Sequence, residues 1–269
     1  MQLEGKRCLI TGAGSGIGRA MALEAAKRGL KLILVGRRTE MLRKTSAQIA
    51  DPDQTVTIAA DITNTLERRR LVSEISDRFS CLDILINNAG QVAVGRFESL
   101  NDHDIESMVA VNLVAPMALS RDFLPLLKNS SAARIVNVGS VFGDIAYPYF
   151  AAYSATKFGL RGLSDALRRE LSSAGIAVTY LAPRATHTPA ATQFASLVEP
   201  LQMNMDTPER VAVQCWDAIA AGKREAFPRG MESLFVRVQR WFPKLIDANI
   251  IRQISSDSVQ KALDISDIS

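Results

Sequence analysis

Short apolar runs alternate with longer amphipathic stretches along almost the whole chain, and that alternation leaves few folds open to it. The runs at Arg7 to Thr11, Lys31 to Val35, Thr55 to Ala59, Leu82 to Asn87, Arg134 to Gly139 and Ala177 to Ala182 read as strands, with a weaker seventh around Glu225 to Phe227. Helical patterns follow at Ile17 to Arg28, Glu40 to Ile49, Leu66 to Phe79, Asp104 to Leu127 and Ala151 to Ser173, each after a strand. Parallel strands need such crossovers, and right-handed ones build an open α/β sheet, doubly wound, with helices on both faces and its ligand at the strands' carboxyl ends. Pro116 and Pro125 fall inside the longest helical pattern and are expected to kink it.

With 269 residues and 47% hydrophobic content the chain can bury one large core, so a single domain over 1–269 is expected. Its 32 basic and 28 acidic residues leave a formal charge of +4 spread along the sequence, which does not call for nucleic acid. Three separated cysteines, Cys8, Cys81 and Cys215, suggest neither a disulfide framework nor a metal knuckle and fit a reducing compartment. Without a leader-like segment or an 18-residue apolar run, a cytoplasmic location is the expectation. His103 and His187 show no metal-ligand spacing, and no metal is expected.

Directly behind the first strand stands "TGAGSGIGRA", Thr11 to Ala20. A glycine turn between a buried strand and a helix gathers backbone N–H groups and the positive helix end at one point, which suits a phosphate. The spacing is Thr-Gly-x-x-x-Gly-x-Gly, with Gly12, Gly16 and Gly18, rather than G-x-G-x-x-G. No Gly-Lys-Ser/Thr closes the loop, so it is no ATPase loop. The second strand ends Val35-Gly36-Arg37-Arg38. A carboxylate there would hold the adenosine ribose and repel a 2′-phosphate; arginines attract that phosphate, so Arg37 and Arg38 point to NADP rather than NAD.

Further along, Tyr153 and Lys157 in "YSATK" lie one helical turn apart, and Ser140 ends the fifth strand thirteen residues before Tyr153. The Tyr/Lys pair alone is weak. With "TGAGSGIG", "NNAG" at Asn87 to Gly90, "VNL" containing Asn112, "VGS" ending at Ser140 and "YSATK" in order over about the first 190 residues, the chain resembles the short-chain dehydrogenase/reductase family, whose sheet is Rossmann-type. The resemblance implies that Tyr153 is the general acid or base at a carbonyl or alcohol oxygen, its phenol made more acidic by Lys157 and by an oxidised nicotinamide. It implies that Ser140 orients that oxygen, that Lys157 also holds the nicotinamide ribose, and that Asn112 kinks its helix and holds a water. An Asn capping or breaking a long helix is the blander reading of Asn112.

The same resemblance assigns the cofactor border to Gly12, Ser15, Gly16, Ile17, Gly18, Arg37, Arg38, Asp61, Ile62, Asn88, Ala89, Gly90, Pro183, Thr186 and Thr188, together with Tyr153 and Lys157. Asp61 would accept from the adenine amino group, with a helix N-cap as its alternative role. Where the family has Pro-Gly, this chain has Pro183-Arg184, which loses a glycine's freedom and offers a cation to an anionic substrate.

A variable substrate loop is expected over about 188–206, apolar and lid-like, and a helical extension over about 231–257. In that extension Met231, Leu234, Phe235, Val238, Trp241, Phe242 and Leu245 recur at helical spacing among Arg237, Arg240 and Lys244. A helix packed on the domain or on a partner subunit is preferred, then a cover for a long apolar substrate, then a shallow membrane-surface helix. The last dozen residues are expected to fray. The sequence thus points to an NADP(H)-dependent oxidoreductase acting on a fairly apolar carbonyl compound or secondary alcohol. A 3-oxoacyl-thioester reductase and a non-catalytic cofactor-binding regulator are the alternatives, and a homo-oligomer is expected.

Overall fold

The computed structural model describes residues 1–51, 54–228, 230 and 232–266. Seven parallel strands form one sheet in the order β3-β2-β1-β4-β5-β6-β7: β1 Arg7–Thr11, β2 Lys31–Gly36, β3 Thr55–Ala59, β4 Ile84–Asn87, β5 Arg134–Val138, β6 Ala177–Leu181 and β7 Glu225–Ala226. The strand order reverses between β1 and β4, so the crevice for a ligand opens at their carboxyl ends.

Helices cover both faces because side chains alternate across each strand. Cys8, Ile10, Leu32, Leu34, Ile84 and Ile86 join one core with α1 (Gly16–Lys27) and α9 (Pro208–Ala220). Leu9, Ile33, Val35, Leu85 and Ile135 join the other, with Leu71 and Ile75 of α3 (Thr65–Arg78) and Leu119 of α5 (Ala115–Asp122). Trp216 of α9 is fully buried and donates its indole N–H to the Met21 carbonyl of α1 at 2.9 Å, joining these neighbours. α2 (Thr39–Ser46) completes the crossover from β2 to β3.

The long helical pattern at Asp104 to Leu127 is broken more thoroughly than a kink. It becomes α4 (Asp102–Val109), a π turn over Ala110–Val114, α5, and α6 (Leu124–Lys128). Pro116 cannot donate to the carbonyl of Asn112, and the ladder widens there; Pro125 starts the next short helix. α7 runs unbroken over Ala151–Glu170, and a four-residue α8 (Ala195–Val198) lies within the segment after β6.

Two expectations for the C-terminal region are corrected. The stretch containing Phe235 to Leu245 is not one helix: it divides at Phe242-Pro243 into α10 (Glu232–Trp241) and α11 (Pro243–Ile254), since proline removes a ladder donor. Within it Val236 is buried, whereas Leu234, Phe235, Trp241, Phe242 and Leu245 are exposed, and Met231 lies outside the described residues. Nor does the described part of the last dozen residues fray. Asp257–Ser266 forms α12, with Val259 and Leu263 at 0% exposure in a third apolar cluster with Phe150, Leu197 and Leu201; residues 267–269 lie outside the described residues. Terminal position misled because Val259, Ala262 and Leu263 make a helical stripe that tertiary contacts bury. Leu263→Ala is therefore expected to destabilise the protein by about 2–4 kcal/mol in chemical denaturation, whereas a frayed end would make it neutral.

Candidate active site

The loop after β1 shows why its glycines are needed. Gly12 and Gly16 have φ of 67° and 53°, the left-handed region. At Gly18 a Cβ would stand 2.4 Å from the Gly12 carbonyl oxygen, so α1 packs on the loop only without a side chain. Ser15, the N-cap of α1, makes no side-chain cap, which leaves the first helix amides for another acceptor. Opposite, the Thr11 hydroxyl donates to the Ile86 carbonyl at 3.2 Å and accepts from the amides of Asn88 and Ala89 at 3.0 Å each. The Asn88 side chain donates to the Thr11 carbonyl at 2.8 Å. The "TGAG" and "NNAG" segments are thereby fixed to each other.

These loops open into a cavity of about 1260 Å³, above the ~300–1,000 Å³ of pockets for one drug-sized molecule. It brings together Gly12, Ser15, Gly16, Ile17, Gly18, Arg37, Arg38, Asp61, Ile62, Asn88, Ala89, Gly90, Ser140, Tyr153, Lys157, Pro183, Thr186 and Thr188. Uncapped helix amides and a glycine cradle at one end fit a dinucleotide.

Asp61 does not cap α3; Asn64 does, accepting from the amides of Leu66 and Glu67. Desolvation pushes the Asp61 carboxyl up, but hydrogen bonds from Thr63 and the nearby Arg37 outweigh it and hold it below its ordinary value.

Asn112, by contrast, does not line the cavity. It is fully buried inside the π turn, where its Oδ1 accepts from Gln91 N at 2.8 Å and its Nδ2 donates to Gln91 O at 2.8 Å and to Thr156 Oγ1 at 3.1 Å. It therefore ties the segment after "NNAG" to the turn of α7 that carries Tyr153 and Lys157. The helix distortion expected at this residue is present.

Ser140 ends the turn after β5, its Oγ accepting from the Phe142 amide at 3.1 Å. A residue the sequence reading missed, Tyr180, holds that turn: its hydroxyl accepts from Ser140 N at 3.4 Å and donates to Ser140 O at 3.2 Å. Its ring fills the space beside Gly139 and Gly143, where any Cβ would collide at 2.2 Å. Burial, then the neighbouring Asp144, pushes the Tyr180 phenol far up, so it stays a neutral donor.

Tyr153 borders the cavity, and desolvation pushes its phenol up to about 12, with a hydrogen bond to Ser140 pulling the other way. Lys157 Nζ donates to the Val138 carbonyl at 3.1 Å and stands 5.5 Å from the Tyr153 ring centre; burial lowers its ammonium to about 8. The sequence reading had Lys157 helping to acidify the phenol. In the free chain burial prevails over that help.

Arg184 is also committed elsewhere. Its Nε lies 2.9 Å from Asp206, whose carboxylate is buried and also pairs with Arg210 at 3.3 Å. Asp206 bridges back to Thr186 and its backbone bonds Ala185 and His187, so Arg184 closes the base of the substrate loop rather than presenting a bare cation. It needs no left-handed φ there. Beyond Tyr153 the cavity is lined by Phe142, Tyr147, Phe150 and Phe194, which the short motifs could not indicate. Tyr149, just before α7, is left-handed at φ 69°, its carbonyl accepting from Gly95 N and its hydroxyl from Gln260 of α12.

A family model for short chain dehydrogenases matches residues 6–197. A ketoacyl reductase of Nostoc sp. is 33% identical over 211 residues, covering 78% of this chain and 74% of the relative. A 3-dehydrosphinganine reductase of Arabidopsis thaliana is 35% identical over 230 residues, covering 81% and 68%. Among solved structures, a short-chain dehydrogenase/reductase from Burkholderia phymatum in complex with NAD superposes with a TM-score of 0.83 at 26% identity, over 91% of this chain and 96% of that one. A 3-ketoacyl-(acyl-carrier-protein) reductase from Brucella melitensis complexed with NADH gives 0.77 at 30%, over 84% and 96%. The chain belongs to the short-chain dehydrogenase/reductase family, a class of Rossmann-type oxidoreductases that bind a nicotinamide cofactor.

Because burial lowers the Lys157 ammonium from 10.5 to about 8, the unfolded chain binds more protons than the folded one between those values. Lys157 therefore adds stability as the pH rises from about 8 to 10. The denaturation midpoint of the wild type should rise relative to that of Lys157→Met across this window; a constant difference would contradict the burial described.

Proposed function

We propose that this chain is an NADP(H)-dependent carbonyl reductase or alcohol dehydrogenase for a fairly apolar ketone, aldehyde or secondary alcohol. The observation that carries the reading is that Ser140, Tyr153 and Lys157 stand on one wall of a cavity continuous with the glycine loop. When bound, the nicotinamide exchanges a hydride with the substrate carbon, and its oxidised form adds a positive charge to the site.

Tyr153 holds the proton that goes to, or comes from, the substrate oxygen, and at about 12 its neutral form prevails in the free protein. Ser140, its backbone clamped by Tyr180, orients that oxygen. Lys157 is carried by the same helix face as Tyr153 and reaches the cavity beside Gly90, where it would hold the ribose hydroxyls. Asn112 positions Thr156 and Gln91 behind them. The aromatic wall of Phe142, Tyr147 and Phe194 excludes water from the reacting oxygen and favours apolar substituents. Gly12, Ser15, Gly16, Ile17 and Gly18 would take the pyrophosphate, Asp61 and Ile62 the adenine, and Pro183, Thr186 and Thr188 the nicotinamide side.

Arg37 and Arg38, exposed after Gly36 with no carboxylate at that strand end, support NADP over NAD. The exposed apolar side chains Val109, Val114 and Met117 on α4–α5 and Phe158 on α7 support a homo-oligomer through these helices. The names of the Nostoc and Brucella relatives favour a second reading, a 3-oxoacyl-thioester reductase, although the Arg184–Asp206 pair removes the cation that could have met a carrier. Thioesters assayed beside free ketones separate the two. Cofactor binding without turnover on either panel would leave a non-catalytic regulator.

Tyr153→Phe is expected to lower kcat/KM by roughly 10²–10⁴-fold in a cofactor-absorbance assay while leaving cofactor binding intact; unchanged turnover would end the reading. Arg37→Ala/Arg38→Ala should raise the KM for NADPH by about tenfold or more, since charge-assisted bonds contribute ~1.5–3 kcal/mol each, and leave that for NADH nearly unchanged. Equal effects on both cofactors would remove NADP preference from these residues.

A further inference from the structure

α10 and α11 lie beyond residues 6–197 that the family model covers, and they have two different faces. Ile246, Ile250 and Gln253, at i, i+4 and i+7 of α11, line the cavity with Phe235 of α10. The opposite side of α11 carries Leu245 and Ile251 with Lys244 and Arg252, all exposed. At the corner between the helices Trp241 and Phe242 are 79% and 62% exposed, and Leu245 is 59% exposed. Three large apolar side chains so open to water at one corner mark a docking surface.

We propose that this outer face of α10–α11 docks on an anionic lipid surface, placing the substrate cavity against the bilayer's polar-apolar boundary. Lys244 and Arg252 are exposed on α11 against one exposed carboxylate, Asp247, which suits anionic headgroups. Indole and phenyl rings beside cations are the composition of helices that lie in an interface. Among the described residues no helix is long and apolar enough to cross a membrane, so the contact is lateral. Ile246 and Ile250 then connect the lipid side to the cavity, a route for an apolar substrate partitioned in the bilayer.

The test uses the full chain and vesicles of phosphatidylcholine with or without phosphatidylglycerol. The two tryptophans act as separate reporters, because Trp216 is fully buried and Trp241 is exposed. Binding to the anionic vesicles, a blue shift of Trp241 emission and release by salt are expected. Trp241→Ser/Phe242→Ser/Leu245→Ser, none of which lines the cavity, should weaken partition by about tenfold or more with Trp216 emission and thermal unfolding unchanged. If that variant fails to fold, Lys244→Glu/Arg252→Glu should abolish the preference for anionic vesicles. Wild-type protein that ignores anionic vesicles, variants that bind as well as wild type, or light scattering showing a dimer that the triple variant loses would each overturn the proposal. Because the readout is partition rather than turnover, its failure is distinct from failure of the proposed reaction.

Discussion

The hydroxyl of Thr11 joins the two strands between which the sheet's order reverses. By donating to Ile86 and accepting from Asn88 and Ala89, it fixes the ends of β1 and β4 at one separation. The glycine loop, the "NNAG" turn and the α1 N-terminus all depend on that separation, because Gly12 and Gly18 pack against Ala89 and Asn88 with no space for a Cβ. A parallel sheet supplies such a crevice through its topology alone. The hydroxyl, with its three polar contacts, fixes the width of that crevice.

A second chain of contacts starts from there and ends at Tyr153. Asn112, held in a π turn, grips Gln91 beyond the "NNAG" turn and Thr156 inside α7, so the nucleotide end of the site and the Tyr153 end are one unit. From the other side Tyr180 on β6 grips the backbone of Ser140 after β5. Arg161 of α7 pairs with Asp144 at 2.6 Å and lies over the Tyr180 ring, closing the loop back to the helix that carries Tyr153. Neither Asn112 nor Tyr180 need touch a substrate for this. They fix the positions of Ser140, Tyr153 and Lys157.

Electrostatics and burial set the remaining balance. In the free protein desolvation keeps the phenol neutral and weakens the ammonium. The ion pair of Arg184 with Asp206 acts similarly on the substrate loop, spending a charge at the mouth of the cavity to close the loop's base. Apolar walls from Phe142, Tyr147 and Phe194 complete the cavity beside Tyr153.

Strand periodicity, the glycine spacing and the "YSATK" and "NNAG" segments are local signals, and from them the chain alone determined its doubly wound sheet, the residues at the cavity's cofactor end and the place of Ser140, Tyr153 and Lys157 beside them. Six of the seven strand runs coincide with strands within one residue at each end, because parallel strands covered on both faces are largely apolar along their length. What only the tertiary structure decided are facts about separations of many residues: the Arg184–Asp206 pair, the Tyr180 clamp on Ser140, and the burial of α12 against α8. The break at Phe242-Pro243 and the two-sided character of α11 belong with these. A side chain's pattern tells which face it would bury; it does not tell which distant partner arrives to cover that face, nor whether burial or a neighbouring charge will govern a titrating group once it has.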